Sequence, residues 1–332
     1  MNLYDRNVGV IGVGKYIPEI KIENSWIENK CGLPSGFITE KTGIEGRYFA
    51  EQSQNASDLA LNAALEAMNN SGVAKEDINL VICCTFTADY VYPSMSAKIH
   101  SLLGLKNAGT FDVMANCTGF QVGMTVACDM MRADSTIKNC LVIGAALQNR
   151  FINWNDPSAA LYFGDGAGAI VLSDVPEGYG ILASDIFTKS EAYEAVRMRG
   201  GGSSYPISLE NVNKGLQFYE LNGIEVWKQA IVNQPKSIKR CLEKTGFTVE
   251  DVNHFVFHQA NKNLIQYLMR KMNKPIEMTT LNVHKYGNTA DASMAIALAD
   301  AQNSGALSRG NLIILSGVGA GFIFGSLAIR WY

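Results

Sequence analysis

Short apolar runs, separated by glycine and polar clusters, recur along the chain. They lie at 8–13, 80–84, 140–144, 167–172, 255–258, 312–315 and 322–329. Each has strand length and is rich in Val, Ile, Leu or Phe, the pattern of strands covered on both faces. Between them the apolar period lengthens to that of a helix. Residues 56–71 carry Leu59, Ala63, Leu65 and Ala67 behind Ser57 and Asp58, and 223–246 carry Ile224, Trp227, Ile231, Ile238 and Leu242. Shorter helical patterns cover 97–103 and 119–131. Strands alternating with helices predict an α/β protein. The uncharged stretch 312–329 is long enough to raise a membrane helix, but Ser316, Gly317, Gly319, Gly321 and Gly325 split it into two β-rich pieces. It predicts two buried strands joined by a glycine turn.

A repeat organises these elements. Gly72, Glu76, Asp77 and Asn79 recur as Gly246, Glu250, Asp251 and Asn253, at a constant offset of 174. Segment 139–145 resembles 310–317, and 166–173 resembles 319–326. The period is far too long for a solenoid, so the pattern predicts one duplicated unit with halves 1–174 and 175–332.

Composition narrows the function classes. The 332 residues include 28 Lys+Arg against 31 Asp+Glu, a formal charge of −3, with 47% apolar residues. A weakly acidic chain offers no general basic face for nucleic acid, and this apolar fraction excludes disorder. Seven cysteines without C-x-x-C, and no H-E-x-x-H, argue against a disulfide framework or zinc site and for a reducing compartment. Asp5 and Arg6 interrupt the N-terminal apolar run, so no export signal is read. These features predict a soluble, cytoplasmic protein without metal.

One cysteine differs from the rest. Cys117 follows a strand-like 110–114 and precedes the apolar helix 119–131. A sulfur at a helix start is favoured as thiolate by the unpaired N–H groups and the dipole. Among the histidines, His258 ends a strand just before a helix, His254 lies four residues earlier, His100 falls in a helical pattern and His284 precedes Tyr286. Adding 174 to 117 gives 291, inside the loop 286–293; allowing a three-residue gap, Asn288 stands in the second half where Cys117 stands in the first. Pseudo-twofold symmetry would bring those helix starts together beside His258. A Cys-His-Asn set also describes papain-like peptidases, but the C-G-[SA]-C-[WY] signature is absent and Cys117 lies far from the N-terminus.

The motifs KTGIEGR (41–47), YPSMSAKIHSLLG (92–104), FDVMANCTGF (111–120), YFGDGAGAIVL (162–172), FHQAN (257–261), YGNTADAS (286–293) and GAGFIFGSLAIR (319–330) together resemble the ketoacyl-acyl-carrier-protein synthase III family of the thiolase superfamily. The resemblance implies a thiolase-like five-layered αβαβα fold of two duplicated halves, and a homodimer. It implies Cys117 as the acylated nucleophile, His258 and Asn288 as the decarboxylation pair, and the N–H groups of Cys117 and Ala320 as an oxyanion hole. Phe163, Val318 and Tyr92 match positions lining the acyl pocket, Tyr92 reaching in from the partner subunit. Phe37 and Lys41 stand where relatives carry a Trp and an Arg stacking on coenzyme A. The second clamping Arg aligns with Pro157, near Arg150, and another with Asn263, beside Asn261 and Lys262. Lys228, Lys262, Arg270 and Lys271 offer a basic patch for an acidic carrier.

The implied reaction is acyl transfer to Cys117, from acyl-CoA or an acyl carrier protein, then decarboxylative condensation with a malonyl thioester, with no cofactor. The acyl donor stays open. A non-decarboxylating acyltransferase and a non-catalytic carrier-binding subunit are the alternatives.

Overall fold

The computed structural model describes residues 6–332, so Asp5 lies outside it. The first half runs β1 (Val8–Tyr16), β2 (Ile20–Glu23), α1 (Asn24–Cys31), α2 (Phe37–Thr42), β3 (Gly46–Phe49), α3 (Ala56–Ser71), β4 (Leu80–Cys84), α4 (Met95–Leu103), β5 (Gly109–Val113), α5 (Gly119–Ala133), β6 (Cys140–Ala146), α6 (Pro157–Ala160) and β7 (Gly166–Asp174). The second runs β8 (Gly180–Thr188), β9 (Val196–Met198), α7 (Leu209–Asn213), β10 (Tyr219–Leu221), α8 (Gly223–Glu243), β11 (His254–Phe257), α9 (Lys262–Lys271), α10 (Val283–Tyr286), α11 (Ser293–Asn303), β12 (Leu312–Gly319) and β13 (Ile323–Arg330).

Two main sheets carry the same strand order. The first is β1-β7-β6-β4-β5 and the second, read from its matching edge, β8-β13-β12-β11. Where β5 flanks β4 in the first, an isolated parallel bridge between Phe255 and Thr279 flanks β11. The repeated residues do the same work in each half. Asn79 Oδ1 accepts the N–H of Lys138 at 2.8 Å, and Asn253 Oδ1 accepts that of Leu312 at 2.7 Å, each tying its strand to the next. Gly72 and Gly246 both hold a left-handed φ, 70° and 75°, which glycine adopts without a Cβ clash.

The layers follow from which faces are apolar. Helix α3 begins at a capping box between Asn55 and Asp58 and buries Leu59, Ala60, Ala63, Ala64 and Ala67 against the outer face of the first sheet. Helices α5 and α11 fill the middle layer between the sheets, with Phe120, Met124, Met294 and Leu298 fully buried. A helix apolar nearly all round, as α11 is, needs such a position. Helices α8 and α9 cover the far face of the second sheet. The result is a five-layered αβαβα sandwich. The 312–329 stretch forms the antiparallel pair β12 and β13, in register from Leu312–Arg330 to Gly319–Ile323. Among the described residues, no helix is long and apolar enough to cross a membrane.

Candidate active site

Both middle helices start the same way. A 3-10 turn, Asn116–Thr118, precedes α5 and another, Ala290–Ala292, precedes α11. Asn116 and Ala290 open these turns with left-handed φ values of 49° and 42°. The offset of 174 therefore holds without a gap, which corrects the sequence alignment: the counterpart of Cys117 is Asp291, and Asn288 lies three residues ahead of it.

Cys117 is half-buried at this turn. Asn116 Nδ2 donates to Ala320 O at 3.1 Å, and Thr118 Oγ1 donates to Ala115 O at 2.7 Å. Gly319 closes the gap between the halves. A Cβ there would meet Ala115 O at 2.7 Å, Thr118 Oγ1 at 3.0 Å and Cys117 N at 3.3 Å, so the turn after β12 approaches this closely only as glycine. It sets Ala320 beside Cys117. Among the described residues, neither Cys117 nor Ala320 donates its N–H to a backbone carbonyl, and the Cys117 N–H points at its own sulfur; both are available as donors for a developing oxyanion.

The expected thiolate is not the resting form. Burial, with a smaller push from the Asp291 carboxyl, raises the Cys117 thiol well above its ordinary value, against the pull of its own N–H. Desolvation of the sulfur outweighs the helix start.

His258 follows β11 and is fixed by two bonds. Its N–H donates to Ser316 O at 2.9 Å, and Nδ1 lies 2.6 Å from Ser293 Oγ. Ser293 Oγ also accepts the N–H of Gln259 at 3.3 Å. The fully buried hydroxyl must place its own hydrogen somewhere, and Nδ1 is the acceptor at hand. That network assigns the His258 proton to Nε2, as a donor. Burial holds the imidazole down to about 3, so the ring is neutral at working pH.

Asn288 is clamped along its backbone. Its N–H donates to Tyr162 O at 2.8 Å, and its carbonyl accepts Gly164 N–H at 3.1 Å and Gln148 Nε2 at 2.8 Å. Oδ1 accepts the Ala290 N–H at 2.9 Å, which leaves the Nδ2 donors as the unpaired end of the amide among the described residues. Ser293 and Asp291 lie in the loop 286–293 without a sequence signal of their own: nothing in a short hydroxyl or a loop carboxylate announces its contacts.

Phe163 is buried, bridges to Asn288 and packs edge-on against Tyr219 at 5.4 Å. Arg47, from motif 41–47, supports it by donating to Phe163 O and Ala160 O at 3.4 and 3.2 Å and to Asn24 Oδ1 at 3.0 Å. Burial pulls that guanidinium down to about 9, leaving it charged at neutral pH. Val318 is buried at the end of β12. Tyr92 is 84% exposed.

At the surface, α2 faces the start of α9. Lys41 lies over the Phe37 ring at 5.7 Å, its carbonyl accepts Asn263 Nδ2 at 3.0 Å, and Gly43 abuts the Lys262 side chain. Asn261 Oδ1 caps α9, accepting the N–H groups of Asn263 and Leu264. The exposed Arg150 guanidinium donates to the carbonyls of Glu51, Gln52 and Gln54. Lys228, on α8, lies 3.9 Å from Glu225, and Lys271 donates to Ile231 O.

Comparison with known proteins agrees with this architecture. The family model for 3-oxoacyl-[acyl-carrier-protein (ACP)] synthase III matches residues 111–190, and that for its C-terminal part matches 242–331. The chain is 34% identical over 325 residues to the beta-ketoacyl-[acyl-carrier-protein] synthase III of Desulfitobacterium hafniense, covering 98% of each chain. It is 36% identical over 326 residues to that of Symbiobacterium thermophilum, again covering 98% of each. The crystal structure of 3-oxoacyl-[acyl-carrier-protein] synthase III from Aquifex aeolicus superposes with a TM-score of 0.89 at 31% identity, over 98% of this chain and 100% of that one. Two half-folds, closed on each other by a glycine turn against a helix-start cysteine, belong to a chain of the beta-ketoacyl-[acyl-carrier-protein] synthase III family.

Proposed function

We propose that the chain catalyses decarboxylative Claisen condensation of an acyl group held on Cys117 with a malonyl thioester, in fatty acid or specialised-metabolite biosynthesis. The observation that carries this reading is the pair of oriented donors, His258 Nε2–H set by Ser293 and Asn288 Nδ2–H set by Ala290.

In the first half-reaction the Cys117 sulfur attacks the donor thioester carbonyl. The oxyanion is held by the N–H groups of Cys117 and Ala320. The donor C–S bond breaks, and the proton of the Cys117 thiol ends on the departing thiol. In the second, the malonyl C–CO2 bond breaks and its electron pair forms an enolate. His258 and Asn288 donate to the enolate oxygen, the carbanion attacks the acyl carbonyl, and the Cys117 thiolate leaves with the 3-oxoacyl product formed. The bond to CO2 supplies the electrons, so no cofactor is required.

The donor comes as acyl-CoA or on an acyl carrier protein, and Phe37, Lys41, Asn261 and Lys262 at the α2–α9 edge receive it. Lys262 and Lys41 supply the charge an acidic carrier would meet. The exposed Tyr90, Val91 and Tyr92 support a homodimer in which Tyr92 enters the partner's acyl pocket. The protein works in the cytoplasm. Intact-mass spectrometry after incubation with a panel of acyl thioesters tests the reading: an acyl adduct that is absent from Cys117→Ala is expected, and no adduct with any donor defeats it.

A further inference from the structure

His258 and Asn288 reach the site on different segments, and one buried side chain ties those segments together. Gln259, next in sequence to His258, is completely buried. Its Oε1 accepts the backbone N–H groups of Asn282 and Val283 at 3.0 and 3.2 Å, where α10 starts. Its Nε2 donates to Phe257 O at 2.9 Å and to Thr280 O at 3.1 Å. Its backbone N–H donates at 3.3 Å to Ser293 Oγ, the hydroxyl that also meets His258 Nδ1 at 2.6 Å.

Both hydrogens and both lone pairs of the Gln259 amide are in use, so the group has one orientation. Turned over, its NH2 would face two N–H donors and its oxygen two carbonyls. A buried network satisfied in this way is rigid, and removing one side of it leaves buried backbone groups unpaired.

The held segment leads directly to Asn288. Gly287 N–H closes α10 onto Val283 O at 2.9 Å, so the peptide that Gln259 grips lies one helical turn before Asn288. Asn282 Nδ2 donates to Asp300 Oδ2 at 2.8 Å. Asp300 pairs with Lys15, whose Nζ lies 3.4 Å from the Tyr286 hydroxyl. Both ends of α10 are therefore fixed, and its start is fixed to the residue beside His258.

Decarboxylation requires both donors on one enolate oxygen, and a displacement of about 1 Å at such a site costs about 100-fold. Acylation uses the N–H groups of Cys117 and Ala320 instead. We propose that Gln259 is a positioning residue for decarboxylation, setting the separation of the His258 and Asn288 donors. This rests on the condensing-enzyme reading and adds to it the part that holds the two donors together.

The test follows Cys117 acylation by intact mass and decarboxylation of a malonyl-carrier protein by CO2 release. Gln259→Met has the length of glutamine and neither polar group. Its decarboxylation kcat is expected to fall about 100-fold, with KM and the acylation rate near wild type. Gln259→Asn, one methylene too short to hold both pairs, is expected to show the same selective loss. Gln259→Glu keeps an oxygen for the Asn282 and Val283 N–H groups and is expected to recover most of it. Added to Asn288→Asp, Gln259→Met is expected to cost little more, because the separation no longer matters once one donor is gone. Unchanged decarboxylation, equal loss of both half-reactions in the methionine and asparagine variants, or fully multiplicative losses in the double variant would overturn the inference. Wild-type enzyme that acylates yet releases no CO2 would defeat the functional reading itself.

Discussion

Ser293 Oγ lies 2.6 Å from Nδ1 of His258, across a separation of 35 residues that only the packing of α11 beneath the second sheet closes. The contact decides which imidazole nitrogen carries the proton. Ser293→Ala removes the hydrogen that occupies Nδ1 and lets the ring choose either tautomer. Decarboxylation of a malonyl thioester is expected to slow roughly 10- to 100-fold, the usual cost of losing a group that orients a site residue. Acylation of Cys117 should hold near the wild-type rate. Equal loss in both half-reactions would mark Ser293 as a packing residue only.

Asn288 permits a sharper separation. Asn288→Asp keeps an oxygen to accept the Ala290 N–H but removes the unpaired donor. Acyl-Cys117 should still form, while condensation falls about 10²- to 10³-fold, as when one oxyanion donor is removed. Asn288→Asp condensing at the wild-type rate would reassign the enolate site.

Burial of His258 has a pH signature. Its native value, about 3, lies below the unfolded value of about 6.5, so the unfolded chain binds the proton first as pH falls. The stability that rests on the neutral ring is complete above pH 6.5 and is lost as pH drops toward 3. At pH 5 the loss is about 2 kcal/mol. Urea midpoints of wild type and His258→Gln, measured at pH 7.5 and pH 5, should diverge accordingly, with the variant losing less on acidification. A parallel acid response in both proteins would remove His258 as the titrating group.

The Cys117 thiol is raised, so its thiolate fraction should still be growing above pH 9. Iodoacetamide alkylation at Cys117 is expected to climb about tenfold per pH unit through that range, since only thiolate reacts. A plateau between pH 6 and 8 would show that the helix start dominates after all.

Much of the scaffold was legible in the chain. The apolar period at 56–71 gives α3 residue for residue, and the glycines within 312–329 separate β12 from β13. The recurrence of Asn79 as Asn253 reports a strand tie made once in each half. What escaped was set by tertiary closure. Tyr219 stands on a three-residue strand paired only with β9, too short to leave a period. The gap allowed between Cys117 and Asn288 was needed to align two functional residues, whereas the backbone repeats without one and pairs Cys117 with Asp291. Arg150 is named in sequence only for its nearness to Pro157, and the carbonyls of Glu51, Gln52 and Gln54 that accept from it come from a segment about 100 residues away. The helix-start argument for a thiolate held its sign but lost in magnitude to desolvation, which no local sequence reveals.

The central claim, that carbon–carbon bond formation on acyl-Cys117 is driven by loss of CO2, is tested most directly in a single turnover. Enzyme acylated at Cys117 and freed of donor is mixed with carboxyl-labelled malonyl-carrier protein, and CO2 and 3-oxoacyl product are counted. The account predicts one CO2 and one 3-oxoacyl thioester for each acyl group lost from Cys117. Departure of the acyl group to an acceptor without CO2 release would contradict it.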